Sequence, residues 1–586
     1  MGGEKYDRVT LVTHLLRRPC VLCDVKQLCL TGVLALLAWN APAQTVGLLS
    51  NTADAFDGYT LVAPTGATRT HLIDNCGRTV NHWDSEFRAG ESAYLLEDGS
   101  LLRTCRQSST VFNGGGIGGR IERFSWEGDL IWSCNLATDT LHHHHDMAWL
   151  PNGHVVLLAW EYKSPEEAEA VGRLSDDDGP LWPPVLLEIA PEGDFGGDIV
   201  WEWHAWDHLV QDVSPSLPNY GTPSEHPRRL DVNYGQVSGG GFPGGSSGGD
   251  WFHCNAVAYH PGLDQLILNS RNWNEFYILD HGVSSEEAKG PDGDLLYRWG
   301  NPVAYGRGTA ADRQLFEQHD AHWILEDGPT ALGGDPEVTV LLYNNGNGRP
   351  GGNASTVDEL TLPWDAALES YVLPQGSTPF GPAELDWSWP ENPTIDFHSP
   401  NISGAQRMPN GNTLICEGNP GHLFEITGDG NLVWEYVTAY NQFGAINQGD
   451  TPFGNSTFRA YRYASDYPGL AGRELTPGPV VENNPLPLEC ELYPAPIDTT
   501  THDVQQHDLV FRVGPNPASA TLNVDATRPV RCTLRDATGR LIQTISDVAR
   551  QHRIPVTDMS NGLYWLILSD AEGRPFGTPR RILIAH

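Results

Sequence analysis

The sequence predicts an all-β chain: a six-bladed β-propeller followed by a small C-terminal β-sandwich. Three observations lead there. With 63 Gly, 43 Pro and 19 Trp in 586 residues, the composition suits turn-rich sheet. Helical periodicity is scarce, and Ser164 to Val171 is one of the few plausible helical turns. A strand ending in tryptophan after an acidic or glycine turn recurs six times, ending at Trp83, Trp132, Trp201, Trp299, Trp387 and Trp434. Between these copies lie hairpins with tight turns, such as Pro151-Asn152-Gly153, Pro261-Gly262, Glu326-Asp327-Gly328 and Pro409-Asn410-Gly411. Two such halves alternating at irregular spacings of about 45 to 100 residues imply four-stranded blades with long insertions. Six copies imply six blades, with Tyr59-Thr60-Leu61-Val62 closing the ring beside the last one.

Residues 1–43 read as a secretory signal peptide. Arg17, Arg18 and Lys26 precede an apolar run, residues 27–39, that is too short to span a bilayer comfortably. Ala41-Pro42-Ala43 offers a cleavage site, with cleavage after Ala43, and an uncut signal anchor is the alternative. The formal charge is −38, and removing residues 1–43 takes five basic and three acidic residues and leaves −40. That excludes nucleic acid as a partner and requires a locally positive pocket for any anionic substrate. Seven cysteines remain after residue 43, an odd number that leaves at least one thiol unpaired in a monomer. They read as core or occasional disulfide residues.

The propeller occupies residues 44–473. Residues 474–510, rich in Pro, Thr, Asn and acids, read as a linker or wrapping strap. Residues 511–586 form the small β domain, with strands at Thr521-Val524, Arg531-Leu534, Leu541-Thr544 and Leu563-Leu568.

Aligned on their turns, His145-Asp146-Met147, Asn255-Ala256-Val257 and His319-Asp320-Ala321 fall in one register, with Ser403 in the same place. His145, Asn255, His319 and Ser403 are therefore expected to ring one mouth of a central channel, with His143 and His253 one pleat further out. Residues two apart on a strand share a face, so His143 with His145, and His253 with Asn255, are expected to point the same way. Arg271, after the strand-like Gln265-Leu268, brings a permanent cation to the same end. Trp251, Phe252, Tyr343 and Trp323 are candidates to hold aryl rings or to fill the core.

Other motifs carry less. Consecutive strand residues point to opposite faces, so at most two of His142–His145 share a site, and no metal or cofactor is expected. The G-x-G-x-x-G within Asn113–Gly119 precedes a strand, which excludes dinucleotide binding. Gly239–Gly249 is either a lid or an ordered strap.

Two resemblances follow. Pro515-Asn516-Pro517, Asp536-Ala537-Thr538-Gly539-Arg540, Met559-Ser560-Asn561-Gly562-Leu563-Tyr564 and a basic-then-aliphatic end resemble the type A sorting domain of type IX secretion. This implies the type IX machinery as a partner, export across the outer membrane, and release or surface attachment. His144-His145-Asp146, Asp250-Trp251-x-His253-x-Asn255, Ser270-Arg271, Gln318-His319-Asp320, Ala405 to Asn412 and Arg459-Ala460-Tyr461-Arg462-Tyr463 resemble, in order, the arylsulfotransferase family. Its members do not use phosphoadenosine phosphosulfate. The resemblance implies a six-bladed propeller moving a sulfuryl group from a phenolic sulfate donor to a phenol acceptor through a sulfohistidine. It implies His319 as nucleophile, with His145, His253, Asn255 and Arg271 as sulfate-binding and charge-stabilising residues. His143, Ser403 and Trp251 are expected to contribute to substrate binding. A non-catalytic propeller binding an anionic ligand, or a sulfatase using water, are the alternatives.

Overall fold

The computed structural model describes residues 44–586 except 175–178, 236, 238–248, 326–337, 366, 488, 494–510, 515–517, 537–539, 558, 570–579 and 585–586. The expected signal peptide, most of the Gly239–Gly249 run, the Glu326-Asp327-Gly328 turn and Pro515-Asn516-Pro517 lie outside the described residues.

The chain is all-β. Its strands pair antiparallel in four-stranded meanders, and in each of these except one the strands follow in chain order. Ala89–Leu95 leads Leu101–Arg106, Gly119–Phe124 and Leu130–Asn135. Leu141–Trp149 leads Val155–Glu161, Pro184–Pro191 and Gly197–His204, and a single parallel bridge, Glu91 to His145, joins these two meanders. Cys254–His260, His319–Trp323 and Gly404–Arg407 lead the next three. In the exception, Thr457–Ala464 pairs with Gly58–Pro64, so a strand from the far end of this region completes a sheet begun at its start. The expected closing segment, Tyr59-Thr60-Leu61-Val62, lies in that pairing. Gly47–Asn51 adds a further strand beside Leu432–Val437. The short helix Pro165–Ala170 falls where the sequence placed a helical turn, closed by a Ser164/Glu167 capping box.

The recurrent tryptophans explain how neighbouring meanders stay together. Each sits on a fourth strand and is buried, with Trp387 half-buried. Their indole N–H groups donate across to the next meander: Trp83 to Ser125 O (2.8 Å), Trp132 to Gly196 O (2.8 Å), Trp201 to Val283 O (2.8 Å) and Trp299 to Pro382 O (2.9 Å). Trp434 donates to Asn75 O (2.9 Å), which links the last meander to the first. A buried indole needs such a partner, so these five tryptophans supply apolar area and a directional link at once. The leading strands touch one another in a closed cycle, which gathers their starts around one axis.

Residues after Ala464 continue as a strap. Thr79 exchanges backbone hydrogen bonds with Gly478 and Pro479 (2.8 and 3.0 Å), Asn483 N–H donates to Ile446 O (2.9 Å), and a Cys76–Cys490 disulfide fastens the far end. The stretch expected as a linker is thus anchored through Cys490. Cys105, Cys134, Cys254, Cys416 and Cys532 are free and buried.

The C-terminal unit pairs Phe511–Gly514, Thr521–Asp536, Leu541–Pro555, Gly562–Ser569 and Arg580–Ile584 as one five-stranded sheet with its own core, including Leu522, Val530, Leu566 and Ile582. The segments expected as separate strands at 521–524 and 531–534 are one continuous strand with register shifts.

Candidate active site

The register read from the turns recurs in the hydrogen bonds. Asp146, after His145, accepts from Val257 N–H in the next meander (3.0 Å). Asp320, after His319, accepts from Ala405 N–H in its next meander (3.1 Å). The same step from one leading strand to the next places His145 and His319 equivalently around the axis.

Phe458 is the hub of the resulting cluster. Its ring lies 5.9 Å from the His145 ring and 6.3 Å from the His319 ring. His145 in turn meets His253 edge-on at 4.9 Å. Arg271 follows closely, its N–H donating to His253 O (3.2 Å). His145, His253, His319 and Arg271 therefore converge, although they come from three separate meanders.

Each imidazole is held by a defined partner. His253 donates from Nδ1 to Asp250 Oδ2 (2.5 Å). His319 Nδ1 bonds Asn345 Oδ1 (2.7 Å), and Ile402 N–H donates to His319 Nε2 (3.2 Å). His145 Nδ1 shares a hydrogen bond with His144 Nδ1 (2.8 Å), and the His144 ring stacks on Trp160 at 4.0 Å. Burial holds His319 well below the ordinary imidazole value, and the Arg271 guanidinium adds to this; the bond to Asn345 works the other way. Burial and then the neighbouring His253 hold His145 low in the same way. Both imidazoles are neutral at pH 7.

The remaining expected residues are placed differently. Trp251 is fully buried, its indole N–H donating to Tyr234 O (2.8 Å) and its ring packed on Phe252 and Trp273 in the core. Phe252, Tyr343 and Trp323 are buried core as well. His143 has both nitrogens engaged, with Gly119 N–H and with Asp146 O (3.2 Å each), and burial lowers its pKa to about 3. Ser403 accepts from Gly418 N–H (3.0 Å) and donates to Asn401 O (3.4 Å). Asn255 sits beside the cluster as a strut: its Nδ2 donates to Gln318 O (3.0 Å) and its Oδ1 accepts from Asn269 (2.5 Å). The sharing of faces expected at two-residue spacing assumes a regular strand, and His145 (φ 53°) and His253 (φ 47°) are left-handed. The ladders shift register beside both, and such a bulge re-aims side chains out of strict alternation.

Four features escaped the sequence reading. The glycine run at 113–119 is a cradle for the histidines. A Cβ on Gly116 would lie 2.0 Å from His145 Nε2, one on Gly118 2.2 Å from His143 Nδ1, and one on Gly115 3.2 Å from His253 Cε1. The consecutive histidines opposite a glycine run were the available signal. Glu317 pairs with Arg271 and also accepts from Asn347 (2.7 Å). Asn345 orients His319. Finally, Arg459 forms a buried plug under the cluster: its Nη1 pairs with Asp146 (2.8 Å) and Asp320 (3.2 Å), its Nη2 donates to Asn255 O (3.1 Å), and its guanidinium lies over Phe458 at 4.5 Å. Tyr94 and Tyr461 donate to the same two carboxylates (2.6 and 3.0 Å). Burial works against the Arg459 charge, but the two aspartates outweigh it and hold its pKa well above the ordinary value. The acid beside His319 is therefore turned away from the imidazole and neutralised. Beyond the plug, a separate cavity of about 350 Å³ is lined by Tyr94, Trp149, Tyr259, Tyr461 and His322, among others.

Among the described residues, no group of three His, Cys, Asp or Glu side chains is arranged to hold a metal ion.

Fold and cluster together define a class: an all-β protein whose leading strands deliver neutral imidazoles and a guanidinium to one end of a common axis. The chain belongs to the arylsulfotransferase (ASST) family, whose model matches residues 48–442, and a secretion system C-terminal sorting domain matches residues 512–576. Family membership supports aryl sulfotransferase activity in general, and the sorting domain supports type IX secretion to the cell surface or outside. No curated protein matches the chain. Solved structures with some likeness include a protein of unknown function from Bacteroides caccae (10% identity, 69% of this chain and 98% of that one, TM-score 0.36). Another is a periplasmic gluconolactonase from Pseudomonas aeruginosa (11% identity, 85% and 99%, TM-score 0.32). TM-scores this low carry no weight for the chemistry.

Proposed function

We propose that the chain is an aryl-sulfate sulfotransferase that works by a ping-pong mechanism through a sulfohistidine at His319. In this reading the meanders are the blades of a six-bladed propeller spanning residues 44–473. Residues 1–43 are a Sec signal peptide, 474–510 a linker whose first part is strapped down, and 511–586 a β-sandwich sorting domain. The observation that carries the proposal is His319: neutral, buried, with its Nδ1 bonded to Asn345 and its Nε2 accepting from the Ile402 N–H, in the cluster that also holds His145, His253 and Arg271.

The first step forms a bond from the Nε2 lone pair to sulfur as the ester S–O bond breaks. Its electron pair leaves on the phenolate oxygen, which departs as the anion and takes its proton from solvent water. In the second step the acceptor phenol's oxygen bonds to sulfur, the S–N pair returns to Nε2, and the phenol's proton passes to a neighbouring imidazole. Sulfuryl transfer, like phosphoryl transfer, passes through a loose transition state with charge on the peripheral oxygens, so positioned donors supply most of the catalysis. Arg271 offers a forked, permanently charged pair of donors. His145 and His253 face the same group, and Asn255 braces the strand that follows His253. Glu317 holds the Arg271 fork until substrate arrives.

The test is release of a chromogenic phenol from an aryl sulfate, with and without a second phenol, on wild type and His319→Ala. Acceptor-dependent turnover lost in the variant supports the transferase. Release without acceptor makes the protein a sulfatase, and no release from a panel of donors makes the cluster a sulfate-recognition site only.

A further inference from the structure

We infer that Asn345 is the positioning residue that fixes His319 as the Nδ1–H tautomer and sets the Ile402 backbone N–H against Nε2. The inference rests on the reading of His319 as nucleophile for its consequence, but not for its geometry. An asparagine amide is ambiguous alone, since its oxygen accepts and its nitrogen donates. Here the ambiguity is removed, because the Asn345 Nδ2 donates to two carbonyls, Ser399 O (2.8 Å) and Ile402 O (2.9 Å). That leaves Oδ1 facing His319 Nδ1, where it accepts only if Nδ1 carries the proton. Nε2 is then the lone-pair nitrogen, as the N–H donated to it by Ile402 independently requires.

One side chain therefore grips both residues of the contact at Nε2: the His319 ring through Oδ1, and Ile402 through the carbonyl on the far side of its Cα from the N–H. The backbone around that peptide is built for the purpose. Ile402 is left-handed at φ 49° and Ser403 follows at φ 96°, conformations costly for a β-branched residue and sustained only where surrounding contacts enforce them. Ser403 N–H donates to Phe458 O (2.9 Å), and the Asn345 carbonyl accepts from Ser355 Oγ (2.9 Å), so both sides of the bracket are anchored. In the free protein Ile402 N–H occupies the Nε2 lone pair. When that lone pair bonds to sulfur, the N–H is released beside the sulfuryl oxygens and becomes a donor to them.

The experiment compares wild type, Asn345→Ala and Asn345→Asp in two ways. Histidine ring-nitrogen NMR, with His319 assigned by its loss in His319→Gln, reads the tautomer without any substrate. Stopped-flow phenol release reads the first half-reaction against pH. We expect wild type to show the Nδ1–H tautomer and no rate loss between pH 8 and 6. Asn345→Ala should populate both tautomers and slow phenol release by roughly 10- to 100-fold, with donor KM little changed. Asn345→Asp should keep the Nδ1–H tautomer and acquire an acid limb, because a carboxylate there raises the His319 pKa, but it should recover only part of the rate, because it cannot donate to Ser399 O and Ile402 O. An Nε2–H tautomer in wild type, or an Asn345→Ala protein with unchanged tautomer and rate, overturns the inference. Failure of every aryl sulfate to react, with the tautomer shift still present, would sink the transferase reading and leave the positioning role standing.

Discussion

Replacing Arg459 by methionine removes the charge from the plug while keeping its stem against Phe458. Asp146 and Asp320, both essentially fully buried, then share no cation. Breaking a buried ion pair by deleting one partner costs about 3–5 kcal/mol. The tyrosine hydroxyls of Tyr94 and Tyr461 and the backbone donors at Val257 and Ala405 remain on the carboxylates, which keeps the expected loss near the middle of that range. Unfolding entropy of about 2 cal/mol/K per residue, over a unit of roughly 430 residues, converts about 4 kcal/mol into a fall in Tm of about 4–5 °C at pH 8. The deficit should depend on pH. Stranded buried carboxylates have folded-state pKa values above their unfolded ones, so the folded variant binds protons the unfolded chain does not. Stability lost at pH 8 is therefore regained as pH falls through those raised values. Calorimetry at pH 8 and pH 5 on wild type and variant checks both points. A Tm loss below about 1 °C at pH 8, or the same deficit at pH 5, would refute the account of Arg459 as the cation that two buried acids share.

Three further outcomes are expected. Gly116→Ala places a Cβ 2.0 Å from His145 Nε2 at a left-handed position, so phenol release should fall by about 100-fold or more, and Gly115→Ala, with a 3.2 Å approach to His253, should fall less; the chromogenic assay ranks the two. Reducing the Cys76–Cys490 bond, which closes a sequence separation of 414 residues, should cost about 3 kcal/mol and lower Tm by roughly 3 °C, seen by melting with and without reductant and matched by Cys76→Ser. Burial pushes Glu91 up to about 7 against the opposing pull of Arg106. Its stabilising protonated state is present below the unfolded value and is lost as pH rises through the folded one, so Glu91→Gln should raise Tm at pH 8 by the equivalent of about 3 kcal/mol and leave it nearly unchanged at pH 4, measured by thermal melts across that range.

Part of the site was legible because it lay in local pattern. The equivalence of His145 with His319, and of the acids after them, follows from counting back from the turns, and the paired carboxylate contacts repeat that step. His253 and Arg271 were reachable from the ordered family motifs. The strand alternation used to aim His143 and Asn255 assumes regular β geometry throughout, and His145 and His253 depart from it. Trp251 was a candidate to hold an aryl ring or to fill the core, and its indole N–H finds Tyr234 O, a partner that the local sequence does not reveal.

The sequence by itself determined the all-β class, the tryptophan-ended fourth strands, the family and the sorting domain, since each is written in short-range periodicity, turn chemistry or an ordered motif. Only the tertiary structure decided which groups face the imidazoles. Glu317, the glycine cradle and Arg459 reach the site across meander boundaries, Arg459 from 313 residues beyond Asp146, and Asn345 reaches His319 from just past the end of the strand paired beside it. Their choice of partner depends on where left-handed kinks turn the strands and on which buried charges must be neutralised. Both are settled by packing around the common axis, not by the residues' neighbours in the chain.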